Sequence, residues 1–197
     1  MADKHSKGNG GNRSTPTLVI EEPSLADGSA LWRITRDSQV LDLNSSYAYL
    51  LWARDFAATS AVAKVNDEVV GFVTGYVRPD APNTLVVWQI AVDDGHRGSG
   101  LASALLHQLL DRVASRGVTY LETTITSDNE ASIRLFSALA GARGTQLTSE
   151  SLFGSHLFAD GHEAEYLYRI GPLTPHHPRL REPISTGSRH DVAIDRR

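Results

Sequence analysis

Apolar and polar positions recur along the chain in two different periods, and the changes from one to the other lay out the elements. "SSYAYLLWARDFA" places Tyr47, Leu50, Leu51 and Phe56 near helical spacing and predicts a helix. Ahead of it, "LWRITR" reads as a short strand. "SAVAKV" and "VVGFVTGYV" are runs of strand formers separated by "NDE", which predicts a hairpin. A third such run, "TLVVWQIAV", follows the turn-forming "RPDAPN". The period then becomes helical from about Gly100 to Arg116, with Gly117 as the glycine just past the helix end. "TYLETTIT" is the next strand. "SDNEASIRLFSALAGA" begins on Asp or Asn cap candidates, keeps Ile133, Phe136 and Ala140 on one face and stops at Gly141. "AEYLYRI" is a late strand. A meander of strands followed by strand and helix in alternation predicts an α/β (α+β) fold, a mixed sheet with helices on it.

Composition narrows the function. At 197 residues the chain suits one domain. Residues 1–16 are glycine-rich and polar and residues 172–197 are rich in Pro, His and Arg, so both read as disordered tails around a domain at 17–171. No apolar run approaches the roughly 18 residues of a membrane span, and "MADKHSKGNGGNRSTP" lacks the apolar centre of a secretory signal. A soluble, cytoplasmic protein is expected. The absence of cysteine excludes a thiol nucleophile, a disulfide framework and a cysteine-ligated zinc site. A net charge of −4 without a long basic run argues against nucleic acid and for a small-molecule ligand. His176 and His177 lack a third ligand at regular spacing, so no metal is expected.

The chemistry concentrates where "HRGSG" meets "LASALLHQLL". A helix N-terminus offers unpaired backbone N–H groups and about half a unit of positive charge, which attract anions, and glycines let a diphosphate approach them. Gly98 and Gly100 stand between a strand and a helix, and Arg97 adds a fixed cation. The P-loop fits badly because no lysine stands here, and the dinucleotide fingerprint misses its final glycine at Ser103. What remains, Arg97-x-x-Gly100-x-Ala102, resembles the [Gln/Arg]-x-x-Gly-x-[Gly/Ala] loop of the GCN5-related N-acetyltransferase (GNAT) superfamily. The likeness extends through "VVWQIAVDDGHRGSGLASALL" and "TSDNEASIRLFSALAGA" and covers most of Leu18 to Gly171. It implies a central mixed, splayed sheet flanked by helices and acetyl-coenzyme A as co-substrate. On this resemblance Arg97, Gly98, Ser99, Gly100, Leu101 and Ala102 hold the pyrophosphate, and Asn129, Ala131 and Arg134 flank the cofactor. A backbone N–H between Ile90 and Val92 faces the oxyanion, and attack on the thioester is direct. Many relatives protonate the thiolate with a tyrosine a few residues into the helix after Asn129; here that place holds Phe136.

"DLNSSYAYLLWARDFA", "TTITSDNEASIRLF" and "HEAEYLYRIGPL" are similar to the diaminobutyrate acetyltransferases of ectoine biosynthesis, which acetylate the γ-amine of L-2,4-diaminobutyrate and are homodimers. An alkylammonium with a pKa of about 10.4 must lose a proton before it attacks. Glu122, a carboxylate among small and β-branched strand residues, is the leading base candidate; His162, in "GHEAE", is the alternative or a relay. Asp42, Asn44, Tyr47, Glu163 and Glu165 are candidate substrate ligands, with Trp88 as a wall on the sheet face opposite Val87 and Gln89. Helix capping for Asp42 and Asn44, a solvated turn for the glutamates and core packing for Trp88 are the plain structural readings of the same residues. An acetyltransferase for another small amine or amino acid, or a silent acyl-coenzyme A-binding module, shares the loop and stays open.

Overall fold

The computed structural model describes residues 17–174. Seven strands form one sheet: β1 (Leu18–Glu21), β2 (Ala61–Val65), β3 (Glu68–Arg78), β4 (Ala81–Val92), β5 (Tyr120–Thr126), β6 (Leu147–Phe153) and β7 (Glu165–Ile170). Their order is β1-β2-β3-β4-β5-β7-β6, and only β4 and β5 run parallel. The mixed sheet with helices is therefore the one expected. The β2–β3 turn holds Asn66 and Asp67 at positive φ (51° and 67°), the conformation whose twist suits a two-residue hairpin.

The helices are α1 (Gly28–Ser38), α2 (Ser46–Asp55), α3 (Leu101–Ala114) and α4 (Glu130–Ala142). "LWRITR" is part of α1 rather than a strand: Leu31, Ile34, Thr35 and Ser38 are buried at helical spacing, which a window of six residues is too short to reveal. Gly117 ends α3 as read. Its φ is 85°, its N–H reaches Ala114 O, and Val118 N–H reaches Val113 O. Gly141 does not end α4; Gly144 does, at φ 63°, with Thr145 N–H on Ala140 O. β1, four residues long, and β6, with its polar "TSES", are strands that the sequence pattern does not mark. The domain also runs past 171: Leu173 is buried in the core and its N–H bonds Thr119 O at 2.6 Å. The remainder of both expected tails, with His176 and His177, lies outside the described residues.

Two cores sandwich the sheet. On one face Leu105, Leu106, Leu109 and Val113 of α3, with Phe136 and Leu139 of α4, pack on Val73, Leu85, Val87, Leu121 and Ile125. On the other, Leu31 and Ile34 of α1 and Tyr49 of α2 pack on Val62, Val69, Phe72 and Ala91. This second core draws only on β2, β3 and β4. The β5–β7–β6 half of that face is left without it.

A bulge in β4 sets the rest. Gln89 pairs with Thr74 and Val87 with Gly75, leaving Trp88 as an extra residue. Gly75 is required there, since a Cβ would come within 2.7 Å of Val86 O. The strict alternation expected around Trp88 is broken: Val87 packs in the α3/α4 core, whereas Gln89 bonds Tyr49 of α2 and Ala91 joins the α1/α2 core.

Candidate active site

Past the bulge, β4 leaves β5. The two strands pair only from Thr84↔Tyr120 to Val86↔Glu122, and one side-chain bond, Thr123 Oγ1 to Val87 O at 3.2 Å, follows. From Trp88 to Val92 the β4 edge that faced β5 pairs with no strand among the described residues, so a V opens toward the C-terminal ends of both strands, where ligands of parallel sheets bind. Ile90 and Val92 lie on this free edge. Cavities of about 340 and 330 Å³ flank its mouth. The first is formed by Val92 to Arg97 with Ile34, Asp37 and Ser38 of α1, the second by Thr126, Asp128 to Ala131 and Val40.

The expected phosphate cradle closes the β4 arm. Gly98 and Gly100 have φ of 73° and 82°, a region costly for any residue with a Cβ, and nothing stands within 4 Å of where a Cβ would be. Ala104 N–H makes a bond to Gly100 O at 3.0 Å, so the amides of Leu101, Ala102 and Ser103 precede any helical acceptor, and no side chain among the described residues caps them. Leu101 anchors the turn in the core while Ser99 Oγ ties back to His96 O at 2.5 Å. Arg97 is half exposed beside this nest of amides, held to Val92 O at 3.3 Å and Asp94 at 3.0 Å. Free amides, a helix N-terminus, an arginine and open space are what a diphosphate needs, so these residues fit coenzyme A. On the β5 arm, Asn129 caps α4 by accepting from Ser132 N–H at 3.1 Å, with Ala131 exposed in the first turn. Arg134 pairs with Glu130 at 2.7 Å. Phe136 is in the core, 1% exposed.

On the open half-face the structure brings Asp42 together with His162 and Glu165, from two distant segments. His162 Nε2 lies 3.2 Å from Asp42 Oδ2 and 3.8 Å from Glu165 Oε1. Its Nδ1 faces the Glu163 backbone carbonyl at 2.8 Å, an acceptor only, so Nδ1 carries a hydrogen and donates it. Nε2 then meets two carboxylates, which favours the imidazolium. The Glu163 carbonyl, and after it Asp42 and Glu165, raise the His162 pKa above its ordinary value. Glu165 is raised as well, by burial first, with Thr124 and His162 opposing and Asp42 adding to the rise. Its Oε2 is buried without a partner among the described residues. Asp42 caps no helix: the residue before α2 is Ser45, and the Asp42 carbonyl accepts from Gln89 Nε2 at 2.8 Å and Asn44 Nδ2 at 3.4 Å. Gln89, a polar residue inside an apolar strand, thus anchors the loop carrying Asp42, and that anomaly was visible in "VVWQIAV". Glu163 contributes its backbone; its side chain is exposed.

Aromatic rings wall the same face. Trp88, 52% exposed, stands 5.3 Å from Trp52, which also contacts Phe56 at 4.7 Å and Tyr76 at 6.3 Å. Tyr47 is exposed on the first turn of α2. Glu122 departs from the expected base. It is 2% exposed, and its two oxygens accept from Arg78 Nη1 and Arg169 Nη1, each at 3.0 Å. It also lies four residues, about 13 Å, back along β5 from Thr126, the partner of Glu165.

Comparison with known proteins places the chain in a family. The model of the acetyltransferase (GNAT) family matches residues 29–141. The L-2,4-diaminobutyric acid acetyltransferase of Streptomyces coelicolor is 63% identical over 160 residues, 80% of this chain and 94% of that protein. That of Marinococcus halophilus is 47% identical over 170 residues, 86% of this chain and 98% of its own. Among solved structures, the diaminobutyrate acetyltransferase EctA from Paenibacillus lautus, in complex with its substrate L-2,4-diaminobutyric acid and coenzyme A, superposes with a TM-score of 0.76 at 39% identity. The match covers 80% of this chain and 96% of that one.

Proposed function

The chain belongs to the GNAT acetyltransferase family, among its L-2,4-diaminobutyric acid acetyltransferases, and from that membership we propose how its own residues carry out acetyl transfer to diaminobutyrate. Acetyl-coenzyme A supplies an acyl carbon activated as a thioester. Arg97 and the amides from Gly98 to Ala102 hold its pyrophosphate, and the free edge of β4 between Ile90 and Val92 presents backbone N–H groups to the oxyanion.

The observation that carries the substrate reading is the Asp42–His162–Glu165 cluster beside the V. Diaminobutyrate brings two ammonium groups and one carboxylate, a net charge of +1. Two carboxylates and one imidazolium present −1, the complementary balance. Glu165 takes the proton of the attacking amine as the C–N bond forms and the thioester C–S bond breaks, and the coenzyme A thiolate leaves to be protonated from solvent, since Phe136 offers no proton; Glu165 Oε2 is buried without a partner among the described residues, and burial raises its basicity. Asp42 holds the second ammonium, and His162 keeps the two carboxylates in register. Trp88, backed by Trp52, lies along the methylenes and adds a cation–π face. The product is N4-acetyl-diaminobutyrate, the acetylated intermediate for ectoine. The experiment is proton NMR of the product formed from acetyl-coenzyme A and diaminobutyrate. Acetylation at the γ-nitrogen is expected, and acetyl on the α-nitrogen would reverse the assignment of the two carboxylates.

A homodimer in the cytoplasm completes this reading. β6, the sheet edge, is exposed from Thr148 to Phe153 and carries Leu152 and Phe153 outward, an edge that soluble proteins usually cover. Sedimentation should give twice the chain mass; a monomer at micromolar concentration would count against it.

A further inference from the structure

We infer that Glu122 is a positioning residue that pins the apex of the V, so that its loss acts on coenzyme A binding through strand separation and not through proton transfer. The inference rests on the reading of the V as the coenzyme A site. Three observations meet at Glu122. It stands on Val86↔Glu122, the last rung at which β4 and β5 pair. Its carboxylate is buried, 2% exposed, and each oxygen is occupied by a different guanidinium at 3.0 Å. Those guanidiniums come from Arg78, at the end of β3, and Arg169, on β7, so one carboxylate ties strands on both sides of the β4–β5 pair.

The geometry gives the triad a direction. Arg78 pairs with Ala81 at the closed end of the β3–β4 hairpin and reaches past β4 to β5. Arg169 lies opposite Glu122 in the β5–β7 ladder, its guanidinium 4.2 Å over the Tyr120 ring. β4 is thereby clamped to β5 below the point where they part. Above it, only the Thr123 hydroxyl on Val87 O continues the closure. Removing the negative charge leaves two cations that shared one carboxylate, now repelling each other across the apex. The strands then part farther down, and the β4 edge loses its spacing from β5. Asp42 stands on the α1–α2 loop, and Glu165 pairs with Thr126 at the other end of the β5–β7 ladder, four rungs from the Glu122–Arg169 pair, so the cluster lies away from this clamp.

The test is calorimetric binding of coenzyme A, without amine, to wild type, Glu122→Gln, and Glu122→Gln combined with Arg169→Gln, which removes the unbalanced cation. Wild-type binding checks the site reading by itself. Glu122→Gln is expected to weaken coenzyme A binding about tenfold, with partial recovery in the double variant. The KM for diaminobutyrate should change less than twofold and the acid limb of the pH–kcat profile should stay in place. Wild-type affinity for coenzyme A in Glu122→Gln overturns the proposal, and so does a displaced acid limb, which would make Glu122 the base. Should Glu122→Gln not fold, the double variant carries the test, with affinity equal to wild type again overturning it.

Discussion

Replacing Glu165 by Gln is expected to lower kcat by about 10²- to 10⁴-fold while leaving coenzyme A affinity unchanged. The substitution keeps the shape and the hydrogen-bonding reach and deletes only the ability to take a proton. The pH dependence identifies the same group. A base works deprotonated, so activity is lost as pH falls through its pKa. Burial raises that pKa in Glu165, so the acid limb of kcat should lie above the ordinary carboxylate range of about 4.3. His162 is also raised, chiefly by the Glu163 carbonyl and the two carboxylates, so its imidazolium persists to higher pH than an ordinary histidine and its hold on Asp42 fades only as pH rises through that value. Steady-state kinetics from acid to neutral pH on wild type and Glu165→Gln decide the matter. A variant with near wild-type kcat and an unshifted acid limb would remove Glu165 as the base.

The second large effect is at the cradle. Arg97→Ala should weaken coenzyme A binding by about 1 to 3 kcal/mol, the range for a charge-assisted hydrogen bond to phosphate, or roughly 5- to 150-fold. In the free protein Arg97 is half exposed and its partners, Asp94 and the Val92 carbonyl, lie within five residues. Its removal should therefore leave the melting temperature nearly unchanged, as expected of a surface ion pair. The readout is calorimetric affinity for coenzyme A beside thermal unfolding. An unchanged affinity would show that the amides and the helix N-terminus bind the diphosphate without it.

The turn proposed to hold the cofactor is legible in the sequence because it is local: Arg97 to Ala102 is one stretch, and the positive φ at Gly98 and Gly100 follows from residue type. The half proposed to bind the amine is legible as candidates and not as an arrangement. Asp42, His162 and Glu165 were each named, but a separation of 120 residues between Asp42 and His162 is closed only by the fold. Glu122 shows the limit from the other side. A carboxylate in a strand invites the reading of a base until two arginines, 44 residues before it and 47 after it, occupy its oxygens. Trp88 fails for another reason: the bulge breaks the two-residue period that strand reasoning assumes, and it shows only in the pairing of β4 with Thr74 and Gly75 of β3. In α1, Trp, Ile and Thr favour a strand locally, and burial of one helical face overrides that preference.

The central claim is that a cluster of charge −1 beside the V selects a short diamine acid for acetylation. Thiol release from acetyl-coenzyme A, measured as kcat/KM across diaminobutyrate, ornithine, lysine and 4-aminobutyrate, tests it most directly. The account predicts diaminobutyrate first by at least tenfold, with 4-aminobutyrate, which lacks the second ammonium for Asp42, poorest. Equal rates across the panel, or release no faster than buffer with diaminobutyrate, would contradict it.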